Sequence, residues 1–299
     1  MKNLPFILVI SLLTCCVEVD ISVPSFPDIS DYFNISDGLT QMTIAANFFG
    51  FCISGIIYGP LSDSFGRRKV MLIGNAIMML GACGCVIAES IEFLILSRLI
   101  QGLGASTSAV VAFAMIADAY SSKKSVSIIG KMNSLITVFM SIAPIAGGFI
   151  NEDIGWRGNY GTIAVVSVIS WLMLYFCLPE TKEDLDEFNA SKITKDFKTL
   201  LTDKRFIYAS VAPSVEFAGW MSFVSCGSFL YMETYDLPIM YYALHQGAII
   251  AAFSLCRLYS GQITSVIGEK NCVTYGIAFV AIGALAMLMV AIFTEKSPY

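Results

Sequence analysis

The stretch Gly59-Pro60-Leu61-Ser62-Asp63-Ser64-Phe65-Gly66-Arg67-Arg68-Lys69 separates two long apolar runs, 40–61 and 70–88. It is too short to fold alone, so it must turn the chain between two elements that lie side by side. Gly66 suits a tight turn, because glycine takes φ > 0 without steric cost. Gly59 is expected to let the flanking helices approach closely. Arg67, Arg68 and Lys69 resist entry into hydrocarbon and hold the turn on the cytoplasmic side of a membrane. Asp63 follows the end of one run, Arg67 precedes the next, and Asp118 closes a third run on the same side. A charge cluster of Asp63, Arg67 and Asp118 is therefore geometrically reasonable, either as a conformational latch or beside a basic run that serves topology alone.

Outward from this turn the chain has the character of a membrane protein. Only 14% of its 299 residues are charged, against about 25% in a soluble domain, and its mean hydropathy is +0.73. The net charge of −5, with the cations gathered in a few loops, argues against nucleic-acid binding, which needs a basic face. A helix crosses the hydrocarbon core with about 20 apolar residues. Nine such runs occur, at 4–24, 40–61, 70–88, 92–118, 125–149, 158–178, 206–232, 240–262 and 272–293. Strands are excluded, because the runs lack alternation and an open sheet edge cannot sit in lipid. The first run carries Glu18 and Asp20 and lacks a small-x-small cleavage site, so it reads as a retained helix rather than a signal peptide.

With the N-terminus inside, the cytoplasmic side collects Lys2, Arg67, Arg68, Lys69, Lys123, Lys124, Lys131, Lys182, Lys192, Lys195, Lys198, Lys204, Arg205, Arg257 and Lys270. The outer side keeps Arg157 and Lys296, which fixes the expected orientation. The chain divides into an N-terminal six-helix bundle (1–178), a charged cytoplasmic linker (179–205) and a three-helix C-terminal group (206–299). The nine cysteines lie mostly within apolar runs and read as small hydrophobes. Cys83 and Cys85 have no second ligand cluster beside them, so no metal site is expected.

A charge at mid-bilayer costs about 2.5–3.5 kcal/mol on insertion scales, so charged residues inside the runs need a reason. Asp20 and Arg98 both fall toward the outer halves of their helices and are expected to couple across a cavity, with Asp20 as the proton carrier or, alternatively, as half of a static ion pair. Gln101 is one turn from Arg98 and shares its face. Glu18 and Glu216 either attract a cationic substrate or are hydrogen-bonded inside the bundle. His245 reads as interfacial rather than as a proton relay, and Arg257 as snorkelling to headgroups. In the fourth run, Gly102 with Ser106 and Gly104 with Ser108 form small-xxx-small faces that permit close helix packing. In the fifth, Pro144 favours a kink, and Gly147 and Gly148 permit tight contact.

These residues resemble the major facilitator superfamily. Gly59 to Lys69 matches its G-x-L-x-D-x-x-G-R-[RK] signature between helices 2 and 3. Within the superfamily the chain resembles the Bcr/CflA type of drug-resistance transporter. The similar segments are Asp20 to Pro27, Leu96 to Gly104 (R-x-x-Q-G-x-G), Ala117 to Tyr120, and Ala143-Pro144 with Gly147-Gly148 followed by Gly155-Trp156-Arg157. They cover residues 18–157 in order. The resemblance implies an all-α major-facilitator-type helix bundle in the bacterial inner membrane that exports small hydrophobic or cationic drugs in exchange for protons. It implies Asp20 as a proton or substrate carboxylate, Arg98 as its relay partner, and Asp63, Arg67 and Asp118 as a cytoplasmic gate. It implies no cofactor beyond the proton gradient, and no nucleotide-binding motif is present.

Two departures stand out. The aromatic residue common after the helix 1 aspartate is replaced by Ile21 and Ser22. Family members have about twelve spans in repeats of three, whereas this chain shows nine, leaving the C-terminal half incomplete. A premature stop, a separately encoded C-terminal fragment that assembles in trans, and a short chain complete in itself are three explanations. Besides the exporter, the sequence admits a metabolite carrier of the same fold and a non-transporting remnant. An intramembrane enzyme is disfavoured, since His245 is the sole histidine and has no Glu-x-x-His partner.

Overall fold

A computed structural model describes residues 3–182 and 184–293. Lys2, residues 294–299 with Lys296, and the side chains of Lys192 and Arg257 lie outside the described residues. The elements are α1 (Leu4–Ser22), a 3₁₀ turn (Val23–Ser25), α2 (Phe26–Phe33), α3 (Asp37–Phe65), α4 (Arg67–Val86), α5 (Ile91–Ala119), α6 (Ser122–Ile154), α7 (Trp156–Cys177), α8 (Ala190–Thr202), α9 (Lys204–Phe229) with a wider π turn (Leu230–Thr234), α10 (Ile239–Ile267) and α11 (Glu269–Phe293). No strand occurs among the described residues.

Proline and glycine set the punctuation. Pro24 and Pro27 lack amide donors, so α1 gives way to the 3₁₀ turn and then restarts as α2, together forming one apolar segment of 30 residues. Gly66, Gly155 and Gly268 have φ of +94°, +86° and +80°. Each is the single residue between two long helices, so α3–α4, α6–α7 and α10–α11 are joined with no intervening loop. The turn read from the sequence thus shrinks to Gly66 alone. Asp63 lies in the last turn of α3, and Arg67 to Lys69 lie in the first turn of α4.

Among the described residues, seven helices are long and apolar enough to cross a membrane. They correspond to the first six runs and the eighth. The seventh and ninth runs are also helical, as α9 and α11, but fall short of that measure among the described residues; α11 contributes an apolar stretch at Lys270–Ala286. The linker is not simply a loop, since residues 190–202 form α8. α6 continues through Pro144 to Ile154 without a break.

α1 and α5 are the inner helices: 72% and 61% of their apolar stretches are buried, against 28% for α3 and for α7. α5 packs between α3 and α4, while α1 packs on α6 and α7. Backbone contact makes this possible. A Cβ on Gly102 would overlap the Asn47 carbonyl of α3, and one on Gly104 would overlap the α4 backbone at Gly74 and Met78. Likewise, a Cβ on Gly147 would overlap the Ile21 carbonyl, and one on Gly148 would press on Ala243 Cβ at 3.1 Å. Gly59 behaves differently from its expectation: its nearest neighbour across the interface is Val110 Cγ1 at 3.9 Å, ordinary contact distance. α10 packs along α6 and ties the last helices to the first six. Large apolar side chains such as Phe49, Leu80 and Phe176 remain exposed around the periphery, as expected where lipid is the solvent.

Candidate functional site

Two polar constellations stand out in an otherwise apolar bundle. The first lies at the end of the bundle that carries the basic residues. Arg67, buried at its guanidinium, reaches Asp63 Oδ1 (2.7 Å) and Asp118 Oδ2 (2.9 Å) and donates to Ser62 Oγ (2.6 Å). Asp63 and Arg67 meet because they are four residues apart, one turn along a nearly continuous helix. α5 brings Asp118 in from the opposite side. The three predicted residues are therefore together. Arg68 is not part of the ion cluster; it donates to the Tyr175 carbonyl (2.8 Å).

Three further residues join this cluster from the segment after α7, and sequence reasoning missed their role. Glu180 accepts the backbone N–H groups of Arg67 and Arg68 on its two carboxylate oxygens, both at 3.0 Å. A carboxylate at a helix N-terminus satisfies open donors and meets the positive end of the helix dipole. Lys182 bridges Asp63 Oδ1 (3.2 Å) and Asp186 Oδ2 (2.8 Å). Asp186 first, and Asp63 with it, raise the Lys182 pKa above its ordinary value. The Asp186 amide also donates to the Asp63 carbonyl (3.1 Å). The linker thus begins by clasping the α3–α4 corner.

The second constellation lies at membrane depth and is nearly sealed: Glu18 and Arg98 are 1% and 0% exposed, and Asp20 is 3% exposed. Arg98 Nη1 lies 4.0 Å from Glu18 Oε2 and donates to Gln101 Oε1 (3.0 Å). Asn47 Nδ2 donates to Glu18 Oε1 (3.1 Å) and to the Arg98 carbonyl (3.2 Å). The guanidinium also faces the Tyr160 ring at 5.8 Å. Asp20 stands apart and accepts from Gln246 Nε2 of α10 (3.0 Å).

The expected Asp20–Arg98 pairing is therefore corrected, since Arg98 pairs with Glu18. Residues two apart on a helix are separated by about 200° around its axis. Glu18 and Asp20 cannot both face α5, and Asp20 is turned toward α10. Glu216 is also corrected: it is exposed on α9, away from both constellations. His245 meets the Tyr231 hydroxyl and lies against Phe223. Among the described residues, no three metal-ligating side chains gather in one place.

A bundle of apolar helices, a basic corner locked by Arg67, and buried charges at mid-depth make up a membrane carrier's architecture. The model of the Major Facilitator Superfamily matches residues 8–298. The chain belongs to the Major Facilitator Superfamily.

Several bacterial relatives of this superfamily align with most of the chain. It is 25% identical over 295 residues to a bicyclomycin resistance protein homolog of Haemophilus influenzae, covering 96% of this chain and 73% of the relative. It is 24% identical to the multidrug resistance protein MdtM of Escherichia coli, covering 83% and 62%. It is 21% identical to the chloramphenicol resistance protein CraA of Acinetobacter baumannii, covering 95% and 69%. The chain therefore spans only part of the length of the curated relatives it matches. Among solved structures, a bacterial homolog of the human lysosomal transporter Spinster in an inward-facing conformation superposes with a TM-score of 0.71 at 18% identity, covering 90% of this chain and 63% of that one. A D-xylose-proton symporter gives 0.62 at 16% identity, covering 86% and 69%. These two likenesses speak to the fold. As a facilitator-superfamily member the chain is a multi-pass membrane protein of a transporter family and not an enzyme.

Within that superfamily frame the membrane-depth network has spare hydrogen-bonding capacity. Arg98 Nε and Nη2, Glu18 Oε2, Gln101 Nε2 and Gln246 Oε1 are buried without a hydrogen-bond partner among the described residues. Unpaired buried polar atoms are costly, so in this facilitator they mark places where another polar group could be accommodated.

Proposed function

We propose that this chain is a proton-coupled exporter of small hydrophobic or cationic molecules, working by alternating access in the bacterial inner membrane with its N-terminus in the cytoplasm. The observation that carries the reading is the Asp20–Gln246 contact. Asp20 sits on α1 and Gln246 on α10, so the bond joins the first six helices to the later group. Gln246 offers a donor, Nε2, which Asp20 Oδ1 accepts at 3.0 Å, and an acceptor, Oε1, which is buried and unpaired. An amide can serve either protonation state of a carboxyl. An ionised Asp20 accepts from Nε2, whereas a protonated Asp20 can donate to Oε1. A proton at this position then exchanges one inter-helix bond for another while changing the charge of the site.

Glu18 and Arg98 form the companion ion pair one face away. A cationic substrate competing for Glu18 or Asp20 would be expelled as the carboxylate takes up a proton. The drug-resistance names of the relatives support this substrate class, and the proton gradient serves as energy source in place of any cofactor. The basic-end cluster of Asp63, Arg67, Asp118, Glu180 and Lys182 is assigned to the cytoplasmic gate.

The test is dye accumulation in an efflux-deficient bacterium that expresses the 299-residue chain. Accumulation below the empty-vector level, restored both by an uncoupler and by Asp20→Asn, is the expected result. Accumulation equal to the empty vector, with the protein verified in the membrane, would overturn the reading and favour a chain that does not transport by itself.

A further inference from the structure

Between the start of α1 and the first third of α6, at the end of the bundle that carries the basic residues, lies a groove of about 220 Å³. Phe6 and Val9 wall it from α1, and Ile128, Met132 and Leu135 wall it from α6. Lys131 stands among these apolar side chains. A lysine inside an apolar helix needs a reason, and the protein offers this one no counter-ion. Residues 1–17 and 122–151 contain no aspartate or glutamate, and Lys131 has no ion-pair partner among the described residues. The same two stretches add Lys2, Lys123 and Lys124. The groove therefore combines apolar walls with uncompensated positive charge.

Its position decides what can reach it. At about 100° per residue, Ile128, Lys131 and Leu135 share a face of α6 with Phe139, Ile142 and Phe149, which are 46%, 52% and 55% exposed. Thr137, Ser141 and Gly148 contact Ser254, Gly247 and Ala243 of α10, and they fall more than about 110° from the centre of that face. The later helices thus pack on the other side of α6, and the groove opens on the periphery, where lipid is the solvent. α6 has 33 residues, about 50 Å of helix against a hydrocarbon core of about 30 Å. Lys131 lies about 14 Å along it, close to the boundary between hydrocarbon and headgroups, and its flexible stem can carry the ammonium into the headgroup layer.

We propose that the α1–α6 groove is a binding site for an anionic phospholipid. One acyl chain lies along Val9, Met132 and Leu135, and the phosphate pairs with the Lys131 ammonium. A zwitterionic lipid fills the same apolar walls, but its own headgroup cation competes with Lys131 for the phosphate. The site is independent of the transported molecule and of proton coupling.

Tryptophan quenching in nanodiscs tests this in the full chain. Leu135→Trp and, from the opposite wall, Phe6→Trp each place a reporter in the groove, and the fluorescence of the parent's three tryptophans is subtracted. Each variant is placed in mixtures of phosphatidylcholine and phosphatidylglycerol in which only one lipid carries bromine on its acyl chains. At equal mole fraction, brominated phosphatidylglycerol is expected to occupy the groove about fivefold more often than brominated phosphatidylcholine. Lys131→Gln is expected to abolish the preference, and Lys131→Arg to retain it. A melting temperature close to that of the parent verifies that each variant is folded, and either reporter suffices for the comparison. Equal quenching by the two lipids, a preference that Lys131→Gln leaves intact, or reporters that neither lipid quenches would overturn the proposal, the last showing that protein rather than lipid covers the groove.

Discussion

Glu18 and Asp20 are two residues apart on α1 and serve different helices: Glu18 lies 4.0 Å from Arg98 of α5, and Asp20 accepts from Gln246 of α10 at 3.0 Å. One helix therefore carries two separately addressed carboxyl groups. One is matched by a cation inside the first six helices, and among the described residues the other is matched by an amide across the junction to the later group.

This division predicts unequal effects of neutralisation. Arg98→Ala leaves Glu18 buried without its cation and is expected to destabilise the chain by about 3–5 kcal/mol. The double variant Arg98→Met with Glu18→Gln removes both charges and is expected to recover much of that loss. Asp20→Asn should alter stability little, because an asparagine can still exchange hydrogen bonds with Gln246. Thermal unfolding of the four proteins in one detergent provides the check; an Arg98→Ala melting temperature equal to that of the parent would contradict the pairing.

The close helix contacts predict a ranking of glycine substitutions. Gly102→Ala and Gly104→Ala place a methyl group into the backbone of α3 and α4, where no side chain can swing away. Overpacking of this kind costs about 1–3 kcal/mol. Gly59→Ala meets only Val110 Cγ1 at 3.9 Å and is expected to be tolerated. Folded yield and melting temperature should separate the first two from the third.

The raised Lys182 pKa has a definite sign. Its partners Asp186 and Asp63 favour the charged form in the folded chain, so its stabilising effect is fully present below the unfolded value, about 10.4, and fades as pH rises through the higher folded value. Parent and Lys182→Met should therefore differ in stability at pH 8 and converge in strong alkali. A difference that persists unchanged above pH 12 would show that the lysine acts through its aliphatic stem alone.

Glu233, past the end of α9, shows the same direction of pH dependence for a different reason: its charged form is disfavoured in the folded chain rather than favoured. Glu233 is largely exposed, and partial loss of hydration first, then Asp37 and Asp31, hold its pKa above the usual carboxylate value. Its ionised form opposes folding in full above that raised pKa, and the penalty shrinks as pH falls through it and is gone below the unfolded value, about 4.3. Glu233→Gln is expected to raise the melting temperature at pH 7 and to leave it unchanged near pH 4. A lower melting temperature at pH 7 would mean that Glu233 makes a favourable contact as a carboxylate.

The parts of this protein that were legible in the sequence are those set by local spacing. Asp63 and Arg67 meet because they are one turn apart, and Asp118 could be placed beside them because it closes an apolar run on the same side. Gly66 adopts the positive φ its turn required. What the sequence concealed depends on rotation about helix axes and on packing between distant segments. Asp20 looked like the partner of Arg98 because both lie at similar depth, but depth does not specify azimuth, and the two-residue offset gave that place to Glu18. Gln246 is an unremarkable glutamine until α10 is laid against α6 and the 3₁₀ turn that follows α1. Glu216 seemed to demand an interior position, yet α9 turns it outward. Glu180 looked like one more loop charge, although an acid after Pro179 returning to the same end was available to cap α4.

The three positive-φ glycines at 66, 155 and 268 carry a consequence for engineering the chain. A junction of one residue has no slack, so α3–α4, α6–α7 and α10–α11 behave as hairpins whose arms cannot slide independently. Epitope tags, fluorescent inserts or protease sites placed at these corners would force the arms apart and scramble membrane insertion. The same cargo placed around residues 187–189, in the exposed stretch before α8, would give up the Phe188–Phe65 ring contact with α3 but leave all three one-residue junctions intact, making that stretch the better port for an inserted reporter.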